Sequence, residues 1–180
     1  GSVGLDGKTS NTYSRNALVP ELFVGMTAKG KHLTGGFGVN ASTIAPRVVA
    51  DGMRVDERLT SYSAMVFGSL KVDDLSVRAK ATYGQNTSHM QQPTGFGVVE
   101  VFDNGVQNYE PMQLGSAWVT MMYGKKLRYG FFAGWMKNYG SAGDKFTSLV
   151  VRNNAGMDQA YRFSPIVTYK VQNMQIGLEY

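Results

Sequence analysis

Side chains with chemical potential are few and scattered. His32 and His89 are the two imidazoles of this 180-residue chain, and neither has a patterned Asp or Glu neighbour. Metal sites need clustered ligands, so both histidines are expected to be solvated. Cysteine is absent, which excludes a disulfide scaffold and Cys-based zinc. Asp51, Asp56 and Glu57 flank Arg54 and Arg58, and paired carboxylates are ligands that calcium accepts. The Asp-x-Asp-x-Asp-Gly spacing is missing, so this cluster reads as solvated charge. Gly35-Gly36-Phe37-Gly38 leads into no helix and no Gly-Lys-Ser/Thr ending, which leaves a phosphate loop unsupported. Serines are plentiful but form no Gly-x-Ser-x-Gly elbow. The chain is therefore not expected to be an enzyme, and no metal and no cofactor is expected.

Cations and hydroxyls do recur with a regular spacing, at every second position against apolar side chains. Ser76, Arg78, Lys80, Thr82 and Gly84 alternate with Leu75, Val77, Ala79, Ala81 and Tyr83. Arg128, Gly130, Gly134 and Met136 oppose Leu127, Tyr129, Phe131, Ala133 and Trp135. Arg162, Ser164, Thr168 and Lys170 oppose Tyr161, Phe163, Val167, Tyr169 and Val171. This dyad is the apolar-out, polar-in pattern of a barrel strand in a membrane. It is also the pattern of a half-buried soluble strand. On this register Arg78, Lys80, Arg128, Arg162 and Lys170 line the wet interior, with Glu21, Thr34, Asn40, Ser61, Ser63, Thr82, Ser164, Thr168 and Glu179. Rings of Arg and Lys in a wet pore favour anions.

Eight alternating segments must position these residues: about 18–28, 32–41, 60–71, 75–84, 114–124, 127–137, 159–171 and from Met174 onward. In the third, Met65 and Phe67 spoil the polar side. Four short polar breaks divide the segments into hairpins: Gly30-Lys31, Asp73-Asp74, Lys125-Lys126 and Gln172-Asn173. The other connections, near 43–58, 85–113 and 138–158, are long and polar. The second contains Phe96–Phe102 followed by Asp103-Asn104-Gly105, a type I′ hairpin signal. Tight turns at one end and long loops at the other is the layout of an outer-membrane barrel. Seven segments reach the roughly 9–11 residues that a tilted strand needs to span the hydrocarbon. Tyr62, Tyr83, Tyr123, Tyr129, Trp135, Tyr161 and Tyr169 fall near segment ends, where interfacial aromatics gather.

Composition agrees. Charged residues are 17 %, against about 25 % for a soluble domain. Gly is high at 22, beside 10 Tyr and 9 Phe. No apolar run approaches the roughly 18 residues of a membrane helix. The net charge of +5 is spread without a basic run, so no nucleic-acid partner is expected. The fold class is all-β: a single domain, 1–180, forming an antiparallel transmembrane β-barrel. If the tight turns are periplasmic, both chain ends lie on the outer side. The chain is then expected to be a segment of a larger porin barrel, with a closed eight-stranded barrel as the alternative. A β-sandwich or lectin-like domain is the soluble rival.

Ala79–Asn86 (AKATYGQN), Tyr123–Asn138 (YGKKLRYGFFAGWMKN) and Tyr161–Tyr169 (YRFSPIVTY) resemble an outer-membrane porin-like family of the Bacteroidetes, similar in general plan to the trimeric DcaP-like porins. The resemblance covers about residues 18–180. It implies passive diffusion of small hydrophilic solutes across the bacterial outer membrane, and assembly as a homotrimer. The expected partners are the lipid bilayer with its lipopolysaccharide and the solutes themselves. The alternative is a non-conducting structural or adhesive barrel that binds partners through its outer loops.

Overall fold

The computed structural model describes residues 1–90, 92–141, 143, 146–151 and 157–180. The chain is nearly all β, with 66 % of it in strands and 5 % in helix. Eight strands form one antiparallel sheet: β1 (Leu22–Lys29), β2 (Leu33–Ile44), β3 (Leu59–Val72), β4 (Leu75–Gln85), β5 (Gln113–Tyr123), β6 (Leu127–Gly140), β7 (Gln159–Val171) and β8 (Met174–Glu179). Each pairs with its neighbour in sequence, so the sheet is an up-and-down meander. Among the described residues β1 and β8 do not pair with each other, and the sheet is open rather than a closed barrel.

The four predicted breaks are the four tight turns. Asp73 (φ 47°) and Gln172 (φ 51°) take left-handed backbone there, and Gly124 (φ 122°) serves the third turn. At the first, the Gly30 amide donates to the Leu33 carbonyl at 2.7 Å. At the opposite end lie the long connections. The 45–58 connection holds a small hairpin, Val49–Ala50 with Met53–Arg54. The other two share a three-stranded sheet of Gly95–Val101, Gln107–Pro111 and Ser148–Val151. The predicted loop 138–158 is shorter at its start, since β6 runs to Gly140; residues 142, 144–145 and 152–156 lie outside the described residues.

The Asp103-Asn104-Gly105 turn differs from the type I′ expectation. Only Gly105 has positive φ, at 78°, and Asn104 spends its side chain accepting from the Val106 amide at 3.1 Å. The Gly105 amide donates to the Phe102 carbonyl, and Phe102 to Val106, giving a three-residue loop. A turn followed by one left-handed glycine is the usual form at that length.

Register fixes which residues share a face, because directly paired residues of an antiparallel ladder point the same way. One face is apolar on every strand. A transverse row runs Met26, Phe37, Val66, Ala81, Ala117, Trp135, Tyr161. A second row, Leu75, Tyr123, Tyr129, Val167, Leu178, crosses β4 to β8 nearer the tight turns. The other face carries Ser, Thr, Asn, Gly and the cations. Burial is inverted relative to a water-soluble protein. Apolar-face residues such as Tyr161 (84 %) and Leu178 (75 %) are exposed, whereas Ser61 (3 %) and Ser164 (2 %) on the polar face are buried. The accessible surface is 11526 Å². A compact monomer of 19.7 kDa would expose about 8,600 Å².

Ordinary packing is confined to the long-loop end. Val3, Ile44, Leu59, Phe96 and Val150 form a buried cluster, with Leu5, Tyr13 and Tyr109 against it. The N-terminal segment supplies Val3 from a short hairpin, Ser2–Val3 with Thr9–Ser10, followed by one turn of helix, Thr12–Asn16. It is tied down by Ala45 donating to the Tyr13 carbonyl and Leu5 donating to the Pro46 carbonyl.

Candidate functional site

Glycine and aromatic residues share the polar face in a specific way. A Cβ on Gly36 or Gly38 would meet the rings of Phe67 and Phe23 at 2.7 Å, and one on Gly134 would meet Phe132 at 2.9 Å. Each ring therefore lies over a glycine of a neighbouring or nearby position instead of standing away from the sheet, an arrangement that repairs glycine's lack of packing. Phe67, which interrupts the polar alternation of β3, is explained by Gly36 directly opposite. Met65 lies likewise opposite Gly38, its Cε 3.1 Å from a Cβ there.

The five predicted lining residues all belong to the polar face, but they form two groups. Arg78, Arg128 and Lys170 join Lys71 around a depression of about 330 Å³ at the tight-turn end, with Asp73 and Asp74 at its margin. Asp74 has a distant ion pair with Lys125 at 3.9 Å. Lys80 and Arg162 line a second depression, of about 370 Å³, midway along the sheet. Arg162 is held by Glu179 at 2.6 Å and donates to Ser164 Oγ at 2.9 Å. Arg78, Lys80, Arg128 and Lys170 form no ion pair among the described residues.

The connection after β4 folds onto this face. Asn86, Thr87, Ser88 and Thr94 are buried and root it. Between them Met90 and Gln92 reach over a depression of about 260 Å³ that includes Phe23, Asn40, Ser63, Met65, Lys80 and Thr82. His89 in this connection stands 3.5 Å from Glu21, and Asn40 donates to the same carboxylate at 2.5 Å. The expectation of a solvated His89 is thus corrected: its side chain is 19 % exposed, because the segment turns inward. His32 is exposed at a tight turn, with Nδ1 3.1 Å from the Lys71 carbonyl.

Glu57 is the second correction. It is 8 % exposed and belongs to no solvated cluster. Its partner is Arg47, whose Nε and Nη2 bind the two carboxylate oxygens at 2.6 and 2.5 Å. Glu57 also accepts from the Tyr109 hydroxyl at 2.6 Å and the Gln107 amide at 2.8 Å, and Arg47 donates to the Gly105 carbonyl at 2.5 Å. Burial alone would raise the Glu57 carboxyl; the hydrogen bonds from Arg47, Tyr109 and Gln107 outweigh it and hold the group below its ordinary range. Burial, and then its hydrogen bond to the Glu57 carboxylate, push the Tyr109 phenol upward. Of the predicted cluster only Asp56 and Arg58 form an exposed pair, at 2.9 Å.

Among the described residues no group of three or more His, Cys, Asp or Glu could hold a metal ion. Nor does any described helix have the length and apolarity to cross a membrane, which says nothing of strands. Compared with family models, curated proteins and solved structures, the chain matches none.

Proposed function

We propose that this chain is wall of a porin-like outer-membrane β-barrel through which small hydrophilic solutes, anions preferentially, diffuse passively. The observation that carries the reading is the inverted burial, clearest on β2, β3 and β7: Phe37, Val39, Tyr62, Val66, Phe163 and Val167 are exposed while Asn40, Ser61, Ser164 and Thr168 of the opposite face are buried. Water gives no reason for such a sheet; exposed apolar patches on soluble monomers rarely exceed a few hundred Å². Lipid does, provided that every backbone group finds a partner between strands. The aromatic distribution supports it further. Tyr161 and Tyr169 bracket the apolar side of β7, eight residues apart. That is about 26 Å along the strand and about 20 Å along the normal at the usual tilt, near the roughly 25 Å apolar band of such barrels.

Side chains from β3 and from β8 reach one depression, that of Lys71 and Gln175. Five strand spacings of flat sheet would put these strands about 24 Å apart, so a shared depression supports a sheet bent toward its polar side. Arg78, Arg128 and Lys170, which have no ion pair among the described residues, support the anion preference. Reconstitution of the intact protein into planar bilayers tests both parts. Expected are discrete conductance steps and a reversal potential of anionic sign in a KCl gradient. Absence of conductance from folded protein removes the channel; a cationic reversal potential removes the preference alone. A second reading, a non-conducting anchor whose loops bind partners, is favoured by the well-packed long-loop end with its Arg47–Glu57 network.

A further inference from the structure

Among the described residues, one charged side chain on the eight strands belongs to the apolar face: Lys137 of β6. It stands directly opposite Gly115 of β5 and Gln159 of β7, and Gly115 stands opposite Tyr83 of β4. Its row lies two residues from that of Trp135 and Tyr161, on the side of the long connections. Tyr139 leans over Gly115, where a Cβ would meet its ring at 3.0 Å. The Tyr139 ring thus lies between Tyr83, with centroids 6.1 Å apart, and Lys137, whose Nζ is 5.9 Å from the ring centroid. A ring beside an ammonium does not neutralise its charge. Lys137 forms no ion pair among the described residues, not even with Asp158 next to Gln159. The side chains of Lys137, Tyr139 and Gln159 donate no hydrogen bond among the described residues. From this row toward the tight turns the apolar face is hollowed. Val66, Ala81, Ala117, Val119, Ala133 and Trp135 line a depression of about 440 Å³. Ala81 and Ala117 sit two residues from Tyr83 and Gly115, so the hollow begins about 7 Å from the cationic row.

We propose that Lys137 and this depression seat one net-anionic phospholipid, its phosphate on the ammonium and an acyl chain in the hollow. The inference rests on the channel reading, from which the apolar face takes its solvent, and names a partner for that face. Charge selects the occupant. A cation on a face otherwise without charge costs free energy beside hydrocarbon unless an anion meets it. The level agrees, because Tyr rings such as Tyr83 and Tyr139 gather where lipid headgroups lie. The unused donors of Tyr139 and Gln159 suit the remaining phosphate oxygens. A zwitterionic lipid brings its own ammonium to compete with Lys137. A free phosphate leaves the hollow empty. A second copy of this chain offers no strand acid on its apolar face, since Glu179 belongs to the polar one.

Native mass spectrometry tests the seat on the intact protein, folded in detergent and titrated with phosphatidylglycerol or phosphatidylcholine of identical acyl chains. One phosphatidylglycerol per chain is expected, held about fivefold more tightly than phosphatidylcholine, the gain of one cation at an anionic lipid surface. Lys137→Gln should abolish the preference and Lys137→Arg should keep it, with folding checked by heat-modifiable gel mobility. Ala133→Leu, which fills the hollow, should weaken both lipids. Equal binding of the two lipids, the result for a lysine that only reaches toward water, overturns the proposal. So does a preference that survives Lys137→Gln, undiminished binding in Ala133→Leu, displacement by glycerol phosphate as effective as by the lipid, or a dimer that excludes lipid. Bilayer conductance keeps the two readings apart, since Lys137→Gln is expected to conduct as the unaltered protein does. Protein that conducts without the lipid preference keeps the channel and loses the seat; protein with the preference and no conductance does the reverse.

Discussion

The sheet and the long-loop end follow opposite rules of burial within one chain. At the loop end Val3, Ile44, Leu59, Phe96 and Val150 hide from solvent, and the Arg47–Glu57 ion pair there is nearly enclosed and richly hydrogen-bonded. In the sheet, Leu22, Val24, Phe37, Val66, Phe163 and Ile176 are exposed. A sequence that buries apolar side chains where it can has not lost the ability to do so on the sheet. On the proposed reading the sheet meets a different solvent, lipid. The join is visible along β2: Phe37 and Val39 of its apolar face are exposed, while Thr43 on that same face and Ile44 beside it are buried where the strand enters the loop end. The two regions should therefore respond in opposite senses to the same kind of substitution.

Phe96→Ala is expected to have the largest effect, about 3–5 kcal/mol, because it empties the centre of the loop-end cluster. The loss should stay local. Hydrogen exchange over 86–112 is expected to accelerate while β4–β7 remain protected. Equal acceleration in the sheet would show that the two regions are one cooperative unit. Ala79→Arg follows, at about 2–4 kcal/mol for a cation at the bilayer midplane. Its neighbour Lys80 points to the other face, and Lys80→Ala should assemble as the unaltered protein does. Membrane insertion measured by heat-modifiable mobility and protease protection checks the pair. Equal tolerance at both positions would break the contrast between the faces.

Strands were legible because their signal is local. Period-two alternation and a polar pair at each turn place β7 at 159–171 with no discrepancy. The first strand begins at Leu22 and not at 18, since Leu18 takes a left-handed φ of 58° and Pro20 has no amide to donate. β2 runs past residue 41 to Ile44 because Ser42 and Thr43 find Ser61 and Thr60 opposite, a fact only the partner strand reveals. The polar-face membership of Arg78, Lys80, Arg128, Arg162 and Lys170 was likewise legible. Their division into two depressions was not, since it depends on where each residue lies along its strand relative to strands paired elsewhere. His89 with Glu21, and Glu57 with Arg47 and Tyr109, join segments without shared periodicity. The one available hint was on β3: aromatic and methionine side chains at polar positions imply glycine across the ladder.

Glu57→Gln is expected to cost less, about 1.5–3 kcal/mol, the range for hydrogen bonds to a charged partner. The same network sets a pH dependence confined to the loop end. Glu57 has its carboxyl depressed from the ordinary value of 4.5, so the folded loops bind fewer protons than the unfolded ones. Their stability is thus complete above that value and declines as pH falls through the depressed one. Proteolysis of loops 45–58 and 102–111 should rise on acidification, with the sheet unaffected; in Glu57→Gln this acid-dependent component should vanish. A loop end that instead loosens on raising the pH toward neutrality would assign control to another group.

Gly134→Ala should be the smallest perturbation and the most local probe of the polar face. The added methyl stands 2.9 Å from Phe132 Cε1 and Cζ, the far end of a side chain that can turn, and 3.6 Å from Trp118 Cβ. Alanine also recovers about 0.5–1 kcal/mol of backbone entropy that glycine loses in a strand. The gain roughly offsets the cost of moving the ring, so stability should change by less than about 1 kcal/mol. The stacking of Phe132 on Trp118, however, cannot survive a ring pushed off Gly134. Trp118 emission should shift while thermal stability stays nearly constant. An unchanged emission would mean that the ring does not rest on this glycine, and that glycine and aromatic are not paired on the polar face as the geometry has them.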